Sequence, residues 1–132
     1  MLMPTVKQYM TREPYSIASR ESLARAQLLM KHHDIRHLPV VDGSRLIGVI
    51  SERDIAVTAA MNGSALDHVE VARIMEPALD VWGESPLDEV ADLMAARKRD
   101  CVVVRGGQGV EGIFTAVDAL QALADLARRA TT

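Results

Sequence analysis

The chain is internally duplicated, and this feature limits its fold more than any other. Shifting the 132-residue sequence by 64 positions lays residues 17–56 over residues 81–120 without a gap, and seven of those forty pairs are identical. The identical pairs are Leu23/Leu87, Leu29/Leu93, Met30/Met94, Val40/Val104, Gly43/Gly107, Gly48/Gly112 and Asp54/Asp118. A copy of about 60 residues is marginal alone, because it buries only about 60% of its unfolded surface. We therefore expect two half-domains that share a core, residues 1–64 and residues 65–132.

The sequence pattern of each copy predicts the same order of elements, β-α-β-β-α. The second copy shows the first helix most clearly, with Leu87, Val90 and Met94 on one helical face. Ser85 is the predicted N-cap of that helix, and Pro86 its first residue. Two continuous, β-branched strands around a turn follow, and then a closing helix. The expected fold class is α+β, with the two repeats packed sheet to sheet about a pseudo-twofold axis.

Composition and charge exclude several classes of protein. Aromatic residues make up 3% of the chain, and Lys and Arg number 15 against 18 Asp and Glu. Neither a stacking platform nor a basic footprint for nucleic acid is present. The longest run without a charged residue, 55–66, is shorter than the ~20 residues of a membrane helix, and no secretory signal is visible. We expect a cytoplasmic protein that binds neither membranes nor nucleic acid.

The sequence offers no constellation for metal binding or catalysis. One cysteine, Cys101, excludes an intrachain disulfide and a cysteine-cluster metal site. His32, His33 and His37 straddle a predicted helix end on different faces, which favours a solvated terminus over a metal site. With no nucleophile–base pair and no phosphate-binding loop, we expect no enzyme.

Two motifs carry a resemblance to a known family. His37–Asp42 (HLPVVD) precedes GVISERD at 48–54, and GIFTAVD at 112–118 has the pattern Gly-hydrophobic-x-Ser/Thr-x-x-Asp. The chain resembles a stand-alone pair of cystathionine-β-synthase (CBS) domains, a Bateman module, over residues 6–126. The resemblance rests on the order of these motifs, which recurs in both copies at one spacing.

The resemblance implies a regulatory module. Such pairs bind AMP, ADP, ATP, S-adenosylmethionine or NAD in clefts between the repeats, need no cofactor, and commonly form homodimers. A separate effector protein would then respond to the arrangement of the dimer. The alternative is a ligand-free dimerisation or docking module that regulates a separate enzyme or transporter.

The matching motif positions give the candidate ligand-binding residues. An ionised carboxylate at Asp54 or Asp118 can accept hydrogen bonds from both ribose hydroxyls. The same positions also have the form of capping boxes with Ser51 and Thr115, and the two interpretations are compatible. An adenine slot implied by the resemblance adds apolar positions, of which Ile17, Ile35 and Val81 are equally consistent with plain core. The full candidate set is Asp54, Ser51, Arg53, Arg36, His37, Asp118, Thr115, Tyr15, Ser16, Ile17, Ile35 and Val81.

The two candidate sites differ in charge. Arg36, His37 and Arg53 accompany Asp54, whereas the positions that match them around Asp118 carry no basic residue. Residues 1–64 hold eight Lys and Arg against six Asp and Glu, and residues 65–132 hold seven against twelve. Because a helix N-terminus also favours an anion, we expect a phosphate tail at the Asp54 site.

Overall fold

The computed structural model describes residues 2–62 and 65–131, in which seven strands and four α-helices are formed. The elements are β1 (Thr11–Arg12), β2 (Ile17–Ala18), α1 (Leu23–His33), β3 (His37–Asp42), β4 (Arg45–Ser51), α2 (Glu52–Asn62), β5 (Asp80–Trp82), α3 (Leu87–Arg97), β6 (Cys101–Gly106), β7 (Gly109–Thr115) and α4 (Ala116–Ala130). From β2 to α2, and again from β5 to α4, the order is β-α-β-β-α. The predicted α+β class and its repeated element order are confirmed.

The strands form two sheets. One has three strands in the order β2-β3-β4, and the other has four in the order β1-β7-β6-β5. In each sheet the first strand of the repeat runs parallel to the second, which forms an antiparallel hairpin with the third. Strand β1 pairs antiparallel with β7 and has no counterpart among the predicted elements.

The chain divides into two compact units that exchange their leading segments. One unit is Tyr15–Ala78, and the other joins residues 1–14 to residues 79–132. The boundaries of these units differ from those of the two half-domains predicted from the sequence, 1–64 and 65–132. The predicted boundaries describe the repeats and stay a prediction. The sequence predicts a linker over residues 62–70, of which Gly63 and Ser64 lie outside the described residues.

The exchanged segments are equivalent in structure. Val6–Gln8 and Val71–Arg73 both form a 3-10 turn, and Val6 and Val71 are both fully buried. The Val6 N–H donates to the Ser85 carbonyl at 2.9 Å, and the Val71 N–H donates to the Glu21 carbonyl at 2.8 Å. Each unit therefore completes its core with the segment that leads the other repeat in the chain.

The start of α3 differs from the prediction. Pro86 is the N-cap residue with extended backbone, the helix begins at Leu87, and no side chain caps it. Ser85 lies one residue too early to cap the helix, and the Leu87 N–H donates to the Pro4 carbonyl at 2.8 Å instead. In the first repeat Ser22 does cap α1, since its Oγ accepts the Arg25 N–H at 3.1 Å.

Candidate functional site

Strand register gathers five of the predicted residues at one end of the β3–β4 hairpin. His37 lies opposite Ser51 in the antiparallel ladder, so the start of β3 meets the end of β4. The Arg36 carbonyl accepts the first N–H of α2 at 2.9 Å. Arg53 and Asp54 follow in the first turn of α2. A carboxylate, a hydroxyl, two arginines and a histidine are thus placed around the junction where β4 runs into α2.

Asp54 and Ser51 form a reciprocal cap. The Ser51 N–H donates to Asp54 Oδ2 at 3.1 Å, and the Asp54 N–H donates to Ser51 Oγ at 3.1 Å. The capping interpretation is therefore correct as geometry. Asp54 is half-buried. Among the described residues no donor reaches its second oxygen, Oδ1, so the carboxylate keeps most of its four acceptor positions.

The carboxylate of Asp118 is more buried than that of Asp54 and accepts more hydrogen bonds from the protein. Its exposed fraction is 8%, and its Oδ2 accepts the Thr115 N–H at 3.0 Å. The Thr115 hydroxyl lies 3.2 Å from the same oxygen, and the Thr11 hydroxyl donates at 3.2 Å to both Oδ1 and Oδ2. Burial together with these donors leaves Asp118 little capacity for a ligand.

The sites at Asp54 and Asp118 differ because only one of the two exchanged segments supplies a hydrogen-bond donor, the Thr11 hydroxyl. Thr11 pairs with Ile113 in its unit, and Glu76 bridges to Val49, the matching position, in the other. A carboxylate side chain such as that of Glu76 has only acceptors, so it cannot donate a hydrogen bond to Asp54 as the Thr11 hydroxyl does to Asp118. The spare acceptor capacity of Asp54 therefore follows from a threonine-to-glutamate difference between the repeats.

Several residues predicted for the adenine slot lie in or against the cores. Ile17 is 3% exposed and belongs to the core of its unit, so the core interpretation is correct for it. Ile35 is partly buried against that core, and Val81 against the core of the other unit. Ser16 is exposed, and the ring of Tyr15 stacks on His33 with 3.6 Å between centroids.

Sequence reasoning missed Thr11. The ungapped overlay begins at residue 17, and the exchanged segments are offset by 65 positions rather than 64, so no pair drew attention to it. Aligning Val6 with Val71 would have placed Thr11 beside Glu76.

His33 and Cys101, also singled out in the sequence, have close neighbours within the protein. His33 stacks on Tyr15 and contacts His32 edge to face at 4.8 Å, and over residues 2–62 and 65–131 no three His, Cys, Asp or Glu side chains are grouped to hold a metal ion. Cys101 is 3% exposed, and burial raises the pKa of its thiol to about 12. None of the helices in those ranges is long and apolar enough to cross a membrane.

Comparison with known proteins identifies the family. The model of the CBS domain matches twice, at residues 6–59 and 70–125. The chain belongs to the CBS-domain family and carries two copies. Proteins of this family are generally regulatory, and where related proteins are enzymes the CBS domains are fused to a catalytic part.

Solved structures share the whole fold. The CBS domain pair of protein MJ0100, crystallised with 5′-methylthioadenosine and S-adenosyl-L-methionine, has a TM-score of 0.83 at 27% identity and covers 94% of this chain and 98% of that one. A Vibrio cholerae protein described as an acetoin utilization protein (AcuB) has a TM-score of 0.82 at 30% identity and covers 96% and 95%.

The curated relatives are longer. L-aspartate semialdehyde sulfurtransferase of Methanocaldococcus jannaschii is 30% identical over 115 residues, which are 86% of this chain but 22% of that protein. The chain spans at most about half the length of the first curated relatives it matches.

Proposed function

We propose that the chain is a regulatory module without catalytic activity of its own, which binds an adenosine-containing ligand and signals to a separate protein through the arrangement of a homodimer. The observation that carries the proposal is the half-buried carboxylate of Asp54, which has spare acceptor positions at a helix start. Membership of the CBS family and the adenosyl ligands of the similar MJ0100 pair support the ligand class.

The junction has the chemistry that a nucleoside requires. Two adjacent ribose hydroxyls are donors, and an ionised carboxylate accepts from both. The positive dipole end of α2 favours a phosphate group or carboxylate beside it. Exposed Arg36 and Arg53 add positive charge at the same place. AMP, ADP, ATP, S-adenosylmethionine and NAD all carry the required ribose.

The two sites are not equivalent in this proposal. Asp54 binds the ribose, whereas Asp118 serves mainly to attach the N-terminal segment through Thr11. The positive charge near Asp54 favours a phosphate tail there. His37 remains a candidate contact of this ligand, whereas Tyr15 and Ser16 belong to the slot that the resemblance pairs with Asp118.

A thermal-shift panel tests ligand binding first. A ligand at about 100 times its dissociation constant stabilises the folded state by about 2.7 kcal/mol. For a domain of this size that corresponds to a rise in Tm on the order of 10 °C. We expect at least one of the five adenosyl ligands to produce it, and no shift with any of them at millimolar concentration would contradict the proposal.

Matched variants then assign the site, with ATP or the best ligand of the panel. Asp54→Asn keeps an oxygen to cap α2 but replaces the second acceptor by a donor, so we expect affinity to fall at least tenfold. Asp118→Asn is the matched substitution, and Ser51→Ala removes the hydroxyl half of the reciprocal cap but keeps the Asp54 carboxylate. Equal losses from both aspartate variants, measured by calorimetry, would show that the asymmetry is wrong.

The alternative is a docking module without a ligand. The exposed apolar residues of α4, Val117, Leu120 and Leu123, favour this alternative because they offer a surface for another protein. A negative ligand panel together with self-association would support it.

A further inference from the structure

A cleft with a volume of about 470 Å³ lies between the N-terminal segment and the end of α4. Residues 2–9 supply one wall, and Asp125, Leu126 and Arg129 of α4 supply the other. The volume is in the range of ~300–1,000 Å³ that is usual for small-molecule sites. Asp125 follows Asp118 by seven residues, about 10 Å along the helix, so this cleft is separate from the junction at the start of α4.

Opposite charges lie side by side at the cleft. The Tyr9 hydroxyl donates to Asp125 Oδ2 at 2.5 Å, and Arg129 Nη2 lies 3.4 Å from the same oxygen. Among the residues that the structure describes, no hydrogen bond reaches Asp125 Oδ1, so the carboxylate keeps acceptor positions. The Arg129 guanidinium carries its donors in a fork that matches a carboxylate, and the side-chain amide of Gln8 adds two more donors. The cleft therefore presents both an anion and a cation to a ligand.

The rest of the cleft is largely apolar. Leu2 and Met3 flank it and are 94% and 50% exposed. Met3 and Leu126 also border a second groove of about 220 Å³ between α3 and α4, which Leu87 and Phe114 help to line. An apolar group that covered Met3 and Leu126 would remove apolar surface from water, which is favourable.

We propose that this cleft binds a free α-amino acid with an apolar side chain. The ammonium group lies beside Asp125, and the carboxylate is bound by Arg129 and Gln8. The side chain packs on Met3 and Leu126. An ammonium group has only donors and a carboxylate only acceptors, so the zwitterion matches both charges of the cleft. A polar side chain is disfavoured, because it would be desolvated against the apolar wall.

The bound amino acid would attach the N-terminal segment to α4 at a second place. The two elements already meet where the Thr11 hydroxyl donates at 3.2 Å to both oxygens of Asp118. The Tyr9 and Met10 N–H groups both donate to the Val6 carbonyl inside the segment. We therefore expect ligand to slow amide hydrogen exchange at Tyr9 and Met10. The proposal goes beyond the adenosyl ligand, since it adds a second kind of ligand at a different site.

The test is calorimetric titration of the full chain with L-leucine, L-methionine and L-phenylalanine. We expect at least one to bind with a dissociation constant of about 1 mM or tighter. Two truncated forms of L-leucine test the zwitterion: isoamylamine lacks the carboxylate, and 4-methylpentanoate lacks the ammonium group. Each should bind roughly tenfold more weakly than L-leucine or worse. No binding of any of the three amino acids, or a truncated form that binds as well as L-leucine, would overturn the proposal.

Matched variants assign the site. Asp125→Asn removes the charge but keeps an oxygen that can accept a hydrogen bond, and Arg129→Gln removes the guanidinium. The controls are Asp92→Asn and Arg128→Gln, since both residues are exposed on helices and lie outside the cleft lining. We expect a loss of roughly tenfold or more from the first pair and less than about twofold from the controls, and equal losses would contradict the proposal. Asp54 lies in the other unit, so the adenosyl titrations can fail while this proposal stands, and the reverse.

Discussion

Gly112→Ala is the substitution whose consequence the structure specifies most fully. A Cβ built on Gly112 would lie 2.6 Å from the Sδ of Met10 and 2.6 Å from the carbonyl oxygen of Thr11. The side chain of Met10 can rotate away, but the oxygen belongs to the backbone of β1. That strand pairs with β7 at Thr11↔Ile113 and Arg12↔Gly112, so it must shift as a whole.

The magnitude follows from this geometry. Overpacking a well-packed site costs about 1–3 kcal/mol, and the upper half of that range applies when a backbone atom must move. A loss of about 2–3 kcal/mol lowers the Tm by roughly 8–15 °C in a domain of this size. The shift of β1 also carries Thr11 away from Asp118, so the packing defect extends to the second junction.

The assay is urea denaturation combined with amide hydrogen exchange. Besides the loss of unfolding free energy, we expect faster exchange of the Glu13 N–H, which donates to the Glu111 carbonyl at 3.1 Å. Gly107→Ala is the control, because a Cβ there meets nothing within 4 Å and the backbone has no positive φ. Its free energy of unfolding should change by less than about 0.5 kcal/mol. Equal stability of the two variants would refute the reasoning.

Three further outcomes are expected. Thr11→Val removes a hydroxyl donor from buried Asp118 and should cost about 1.5–3 kcal/mol in urea denaturation, whereas Thr11→Ser keeps the donor and should cost less; equal losses would show that the hydroxyl does not matter. Phe114→Ala empties a fully buried position and should cost about 3–5 kcal/mol, against less than about 0.5 for exposed Leu28→Ala in the same assay; a Phe114→Ala cost below 1 kcal/mol would contradict the assigned core. Burial raises the pKa of the Cys101 thiol in the folded state to about 12, so the stability it contributes is complete below its unfolded pKa of ~8.5 and is lost as the pH rises toward 12. The difference in unfolding free energy between wild type and Cys101→Ala should therefore fall over this pH interval. A difference that stays constant would contradict the burial of the thiol.

The repeated element order was predictable because each strand and helix leaves a local pattern. The apolar spacing of Leu87, Val90 and Met94 and the continuous runs of β3 and β6 are properties of neighbouring residues. The cap at Ser51 and Asp54 was predictable for the same reason, since it joins residues three apart.

The exchange of leading segments could not be predicted because it depends on contacts between distant residues. Nothing near Val6 indicates that its N–H will bind Ser85, and nothing near Thr11 indicates that its hydroxyl will reach Asp118. The error at Ser85 has the same origin, since the tertiary contact takes the place of a local cap. The glycine pair Gly48 and Gly112 was visible in the overlay, but the close approach of Met75 and Met10 that requires it was not.

The most direct test of the ligand proposal is a titration followed by amide chemical shifts on ¹⁵N-labelled protein, with the most stabilising ligand of the panel. We expect the largest shifts at the Ser51, Arg53 and Asp54 amides, and their disappearance in Asp54→Asn at the same ligand concentration. Saturating ligand that leaves these amides unmoved, or that shifts them equally in Asp54→Asn, would contradict a nucleoside site at this junction.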